Sequence, residues 1–174
     1  MTSTFESKPK SPPFIISRIF DAPRQLVWDA CTKPEHLQNW FSPKGFTGRV
    51  AKMDFRPGGM YLYCLKSPEG HEMWGKALYR EITAPERLVY INAFSDAQGG
   101  TTRHPLSPTW PLEMLTTFTF TEKDGKTTLT IKWELTDTVT VEERTTFDNA
   151  HAGMTQGWTG SLDNLTEYLK TLTA

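Results

Sequence analysis

The last quarter of the chain holds the feature that most constrains its fold, an apolar stripe with helical spacing. Six apolar residues recur there at steps of three and four: Met154, Trp158, Leu162, Leu165, Leu169 and Leu172. This spacing places them on one face of a long amphipathic helix. Such a face must be buried, so we expect the C-terminal helix to pack across another layer of the domain.

Three glycines interrupt the first half of this predicted helix: Gly153, Gly157 and Gly160. Each costs about 1 kcal/mol relative to alanine in a helix interior. One interpretation is that the glycine side allows close approach to a neighbouring element, while Met154 and Trp158 project into a cavity that the helix covers. The other is an ordinary buried helix whose glycines contact a sheet, and the residue types leave both open.

Residues 14–136 have the pattern of an antiparallel sheet. Strand-like runs occupy 14–20, 46–55, 60–66, 72–83, 87–95, 112–121 and 127–136, and the last two alternate between apolar and polar residues. Two short helices follow the first run. We predict an α+β fold of the helix-grip type: a curved antiparallel sheet of about seven strands, two short helices after strand one and a long C-terminal helix across the concave face.

Length and charge indicate one globular domain without an electrostatic partner. A chain of 174 residues can bury about 70% of its unfolded surface around one core. We expect a disordered tail over 1–13 and one domain over 14–174. The net charge of −1 and the absence of a basic or long apolar run argue against nucleic acid and membrane partners. Without a signal-peptide pattern, a cytoplasmic location is expected.

The chain lacks the common sequence signatures of catalytic and metal sites. Its two cysteines, Cys31 and Cys64, lie far apart, and its four histidines show no metal-ligand spacing. No nucleophile elbow and no phosphate-binding glycine loop is present. We therefore predict packed thiols, no metal, no cofactor and no assigned catalytic residue.

The run 95–110 shows no periodicity and contains Gly99, His104, Pro105 and Trp110. Loops this long in compact domains are commonly functional lids or disordered segments. Because Trp110 favours docking onto apolar surface, we predict a lid over a ligand mouth.

Aromatic residues are abundant, with six Trp, ten Phe and five Tyr. Taken singly, each fits core packing, but as a group they favour a lined pocket for an apolar or aromatic small molecule. The polar candidates are Tyr61, Tyr63 and His104. The predicted ligand-binding residues are Trp40, Tyr61, Tyr63, Trp74, Phe94, His104, Trp110, Met114, Phe118, Trp133, Met154 and Trp158.

Several motifs resemble a known family. They are Arg18-Ile19-Phe20-Asp21-Ala22-Pro23, Val27-Trp28, Thr32-Lys33-Pro34-Glu35-His36-Leu37, Trp40, Arg56-Pro57-Gly58-Gly59, Tyr79-Arg80-Glu81-Ile82, Pro85-Glu86-Arg87-Leu88-Val89-Tyr90, Gly157-Trp158 and Ser161-Leu162-Asp163-Asn164-Leu165. Together they resemble domains called activator of heat-shock-protein-90 ATPase homologue-like, within the START-like (SRPBCC) helix-grip superfamily. The resemblance covers about 14–172 and implies a fold with a cavity. The matching residues are framework residues that carry little chemistry, so the resemblance leaves the function open.

Three functions are compatible with this resemblance. The first is a small-molecule-binding domain that holds an apolar or aromatic ligand between sheet and helix. The second is a cyclase- or hydrolase-like enzyme that uses the same cavity, with His104 or Tyr63 transferring a proton. The third is a co-chaperone that stimulates the heat-shock-protein-90 ATPase, although the eukaryotic activators carry a separate N-terminal domain and only residues 1–13 precede strand one here. Whether the chain forms a homodimer stays open.

Overall fold

A computed structural model describes residues 11–173 and shows one antiparallel sheet with four helices in that part of the chain. In chain order the elements are β1 (Phe14–Phe20), α1 (Arg24–Thr32), α2 (Pro34–Trp40), β2 (Thr47–Met53), β3 (Met60–Lys66), β4 (Glu72–Thr83), β5 (Arg87–Ser95), β6 (Thr101–Thr102), β7 (Met114–Lys123), β8 (Lys126–Leu135), α3 (Val141–Asn149) and α4 (His151–Thr173). The predicted α+β fold is confirmed.

The sheet is open and has β1 and β2 at its two edges. Its strand order is β1-β8-β7-β5-β4-β3-β2, and the short β6 pairs with the end of β5. Seven strands therefore form the main path, as predicted, and the eighth is a two-residue addition. All strand pairs are antiparallel.

The core lies between the sheet and α4. On β7 and β8, the alternating residues Phe118, Phe120, Leu129 and Ile131 are almost fully buried. The apolar stripe of α4 packs against this side of the sheet, because a half-apolar strand and a half-apolar helix each lose their water-exposed apolar surface on contact. Within the stripe, Leu172 is the exception to the sequence prediction, since it is 37% exposed in the last turn of the helix.

Polar contacts join α4 to β1 and to the connection that follows α2. The Arg18 guanidinium on β1 pairs with the Asp163 carboxylate at 2.9 Å. On the other side of the helix, the Asn164 amide donates to the Ser42 carbonyl at 3.1 Å, just after α2.

The Thr140 side chain caps the N-terminus of α3. The Thr140 hydroxyl accepts from the Glu143 backbone N–H at 3.1 Å. In a capping box the Glu143 side chain would return to Thr140, but here it pairs with Arg103 at 2.8 Å. This ion pair ties the segment before β7 to α3.

Other predictions have mixed outcomes. Both cysteines are free and buried, which confirms the prediction of packed thiols. The predicted strand 112–121 begins at Met114 and ends at Lys123. Residues 1–10 of the predicted disordered tail lie outside the described residues. Of the helices in the described part of the chain, none has the length and apolar character needed to cross a bilayer.

Candidate functional site

A cavity of about 610 Å³ lies between the sheet and α4. Side chains from β3, β5, β7 and β8 form its floor, and the first half of α4 forms its opposite wall. The segment between β6 and β7 supplies His104, Trp110 and Pro111 to the lining. The cavity therefore sits where the helix and this segment meet over the sheet.

A smaller cavity of about 60 Å³ adjoins it, deeper in the core. The two share a wall made by five residues: Phe41, Tyr63, Asn92, Trp133 and Trp158. The small cavity is bordered mainly by aromatic and apolar residues, including Tyr61, Tyr79 and Tyr90. Its size suits one or two waters or the end of a larger molecule.

The structure brings most of the predicted ligand-binding residues together. The larger cavity is lined by Tyr63, Phe94, His104, Trp110, Met114, Trp133, Met154 and Trp158. The smaller cavity adds Trp40, Tyr61 and Phe118. Eleven of the twelve predicted positions therefore border one cavity or the other.

Trp74 is the exception and does not line either cavity. On β4, the neighbouring Gly75 faces the Tyr63 ring, which a Cβ atom at Gly75 would overlap. Because side chains alternate along a strand, Trp74 points to the opposite face of the sheet. There the Arg49 guanidinium lies 5.1 Å from its ring centroid. The prediction placed Trp74 on the wrong face.

The glycines of α4 border open space and do not pack against another element. A Cβ atom added at Gly153, Gly157 or Gly160 would meet no other atom within 4 Å. Gly153 and Gly157 line the larger cavity, and Gly160 does not. The two roles that the sequence suggested for the glycines, close approach to an element and contact with a sheet, are therefore wrong, whereas Met154 and Trp158 do line the cavity. The glycine side leaves open space at the cavity wall.

The segment 95–110 has more order than its lack of periodicity predicts. The Asp96 carboxylate accepts from the backbone N–H groups of Gln98 and Gly100, at 2.9 and 2.8 Å. This turn returns the chain so that β6 pairs with Phe94 and Ser95. After β6, the Thr109 and Thr146 hydroxyls lie 2.8 Å apart and join the segment to α3.

His104 borders the cavity in a neutral form. The Leu106 backbone N–H donates to His104 Nδ1 at 3.0 Å, so this nitrogen carries no proton and the ring hydrogen is on Nε2. Partial burial lowers the pKa of His104 below its ordinary value, which favours the same neutral state. The ring packs against Phe94, with 4.6 Å between centroids.

The tyrosines near the two cavities are held protonated. Burial raises the pKa of Tyr63 to about 12. Burial, with repulsion from neighbouring tyrosines, also raises the pKa values of Tyr61 and Tyr90 well above the usual range. At neutral pH these side chains can donate a hydrogen bond, but none supplies a phenolate base.

Two indole N–H groups in the shared wall have no hydrogen-bond partner among the described residues. They are Nε1 of Trp133 and Nε1 of Trp158, and both atoms are buried. By contrast, Trp40 Nε1 donates to the Ala30 carbonyl at 2.8 Å. Unpaired buried donors are rare and cost about 1 to 3 kcal/mol each.

Asn92 is a site residue that the sequence prediction missed. It lies on β5 and borders both cavities. Thr116 on β7 donates its hydroxyl to Asn92 Oδ1 at 2.6 Å. The available signal was strand period: Tyr90, Asn92 and Phe94 share one face of β5, and an amide between two aromatic residues on an inward face needs a polar partner.

Comparisons with known proteins agree with this fold. The sequence profile of the family described as Activator of Hsp90 ATPase homolog 1-like protein matches residues 21–170. The family resemblance inferred from the motifs is therefore confirmed. No curated protein matches the chain.

Similar solved structures come from several bacteria. A Staphylococcus epidermidis protein is 27% identical, covers 94% of this chain and 92% of its own, and has a TM-score of 0.71. An Arthrobacter aurescens protein is 23% identical, covers 92% and 87%, and has a TM-score of 0.76. A Mycobacterium smegmatis protein is 21% identical, covers 91% of both chains, and has a TM-score of 0.73. The last two similarities show a shared fold.

Proposed function

We propose a ligand-binding function for this chain, which belongs to the Activator of Hsp90 ATPase homolog 1-like protein family. The family fold is consistent with either a ligand-binding or a co-chaperone domain. The cavity favours the first: its volume of about 610 Å³ falls within the range of small-molecule sites, about 300 to 1,000 Å³. The proposed ligand is an apolar or aromatic small molecule held between the sheet and α4.

The observation that carries this proposal is the unfilled side of α4. Gly153 and Gly157 are exposed residues, and a Cβ atom at either would meet no other atom within 4 Å. At these two positions, helix-destabilising residues leave open space at the wall of an aromatic cavity. A domain that needed only a core would gain helix propensity from alanine there without a steric cost. Room for a ligand explains why the space stays open.

The proposal is tested by filling that space. We expect Gly157→Leu to extend a side chain into the open space beside the cavity and to weaken binding of N-phenyl-1-naphthylamine, an uncharged environment-sensitive dye, by about tenfold or more. Gly160→Leu is the matched control, because Gly160 lies on the same helix but outside the cavity lining. Both changes replace glycine with a better helix former, so reduced binding does not reflect a weaker helix.

The two variants give a clear decision. Reduced dye affinity in Gly157→Leu with unchanged affinity in Gly160→Leu supports a ligand site at this wall. Equal dye affinity in the two variants and the unchanged protein would mean that the dye binds elsewhere, and the proposed site would be wrong.

A further inference from the structure

The walls of the larger cavity carry no charged side chain. Among the described residues that line it, none is Asp, Glu, Lys or Arg. Lys76 borders the smaller cavity, but its Nζ donates to the Gly99 carbonyl at 2.9 Å. A charged group on a ligand would therefore lose its water without gaining a counter-charge, which costs several kcal/mol. Such walls select an uncharged ligand.

Asn92 offers this ligand one oriented donor. Because the buried Thr116 hydroxyl donates to Asn92 Oδ1 at 2.6 Å, the carbonyl end of the amide is occupied. The other end, Nδ2, has no acceptor among the residues that the structure describes. The side chain lies in the wall shared by the two cavities. A ligand oxygen that reaches this wall can accept from Nδ2.

We propose that the ligand is an uncharged molecule with an apolar, aromatic body in the larger cavity and one oxygen acceptor, of the ketone or ester carbonyl class, that accepts a hydrogen bond from Asn92. This inference rests on the proposed ligand-binding function and narrows it. The body contacts the aromatic lining through dispersion and apolar burial. The single hydrogen bond sets its orientation and distinguishes it from hydrocarbons of the same shape.

Three probes of matched size separate the parts of this proposal. 2-Acetylnaphthalene carries a ketone, 2-isopropylnaphthalene replaces the carbonyl oxygen with a methyl group, and 2-naphthoate carries a charge. Their dissociation constants are measured at pH 8 by displacement of N-phenyl-1-naphthylamine from the full chain. We expect the ketone to bind on the order of tenfold or more tightly than the carboxylate, because only the carboxylate enters charged.

The role of Asn92 is measured as a ratio of affinities. In Asn92→Leu, we expect the affinity of the ketone relative to the hydrocarbon to fall about tenfold, the scale of one hydrogen bond. Hydrocarbon binding should persist. Using a ratio removes the difference in water solubility between the two probes. Asn92→Val provides a second variant that has no side-chain donor and introduces no ionisable group, and the same ratio should fall.

Each outcome has a distinct meaning. If no probe displaces the dye from the unchanged protein, the proposed ligand-binding function itself fails. If the probes bind but the carboxylate equals the ketone, or the ratio is unchanged in both Asn92 variants, the ligand-binding function stands and this inference is overturned. A fall of the ratio in either variant, with hydrocarbon binding retained, supports the inference.

Discussion

The indole rings of Trp133 on β8 and Trp158 on α4 meet edge to face, with 5.7 Å between their centroids. Trp158 also meets the Phe118 ring at 6.0 Å. These contacts join the sheet to the helix in the wall shared by the two cavities. The Trp158 ring therefore belongs to the core and also borders both cavities.

Replacing this ring should affect both properties. We predict that Trp158→Ala lowers the free energy of unfolding by about 3 to 5 kcal/mol and also weakens binding of the uncharged dye. Leu169→Ala is the control, since Leu169 is equally buried but lies outside the cavity lining. It should lose about 2 to 5 kcal/mol with dye affinity unchanged. Urea unfolding and dye titration measure the two effects, and equal dye affinity in both variants would reduce Trp158 to a packing residue.

Replacing a glycine of α4 with alanine should raise the free energy of unfolding, whereas Trp158→Ala and Leu169→Ala lower it. Because an added Cβ at Gly153 or Gly160 meets no atom within 4 Å, neither alanine variant meets steric strain. We predict that Gly153→Ala and Gly160→Ala each raise the free energy of unfolding by about 1 kcal/mol. Urea midpoints give the comparison, and a loss of stability in either variant would show contacts at the glycine side that the present geometry lacks.

The fold was predictable because its signals are local. The alternation along β7 and β8 and the apolar spacing of α4 each follow from the chain's own period. The face of Trp74 was not, because β4 carries apolar residues on both of its faces and the neighbour that lies opposite Tyr63 is Gly75. Glycine has no side chain whose polarity indicates a face, so the apolar–polar pattern of β4 did not predict that Gly75 lies inward and Trp74 outward.

The raised pKa values of the buried tyrosines predict that the protein loses stability at alkaline pH. The pKa of Tyr63 is about 12 in the folded protein, above its ordinary value of 10.0. The unfolded chain therefore ionises first, so the stabilising contribution is complete below about pH 10 and is lost as the pH rises towards 12. We predict a decrease of about 2 to 3 kcal/mol from this residue. Urea midpoints between pH 8 and 11.5 should fall less steeply in Tyr63→Phe, and an identical slope would contradict the prediction.

The ion pair between Arg103 and Glu143 should matter more than exposed pairs on the sheet. The Glu143 side chain is 8% exposed, so Arg103→Met leaves a buried carboxylate without its partner. We predict a loss of about 1 to 3 kcal/mol, with faster amide hydrogen exchange over 101–110. Arg87→Met breaks the exposed pair with Glu81 and should lose less than about 1 kcal/mol. Equal losses in the two variants would refute the proposed anchoring of this segment.

The candidate site was only partly predictable. Aromatic abundance indicated a cavity, and eleven of the twelve predicted residues border one. The role of Asn92 depends on Thr116, which lies on another strand, and no local pattern joins the two. The open side of Gly157 likewise depends on what packs opposite it. Both features arise from tertiary contacts that spacing along the chain does not encode.

The indole N–H signals of the tryptophans offer the most direct test of ligand binding between sheet and helix. In a ¹H–¹⁵N spectrum titrated with 2-acetylnaphthalene, the signals of Trp110, Trp133 and Trp158 should shift, because these rings line the larger cavity. The signal of Trp74, on the opposite face of the sheet, should stay in place. Shifts at Trp74 with unchanged signals from the three cavity tryptophans would contradict the proposed site.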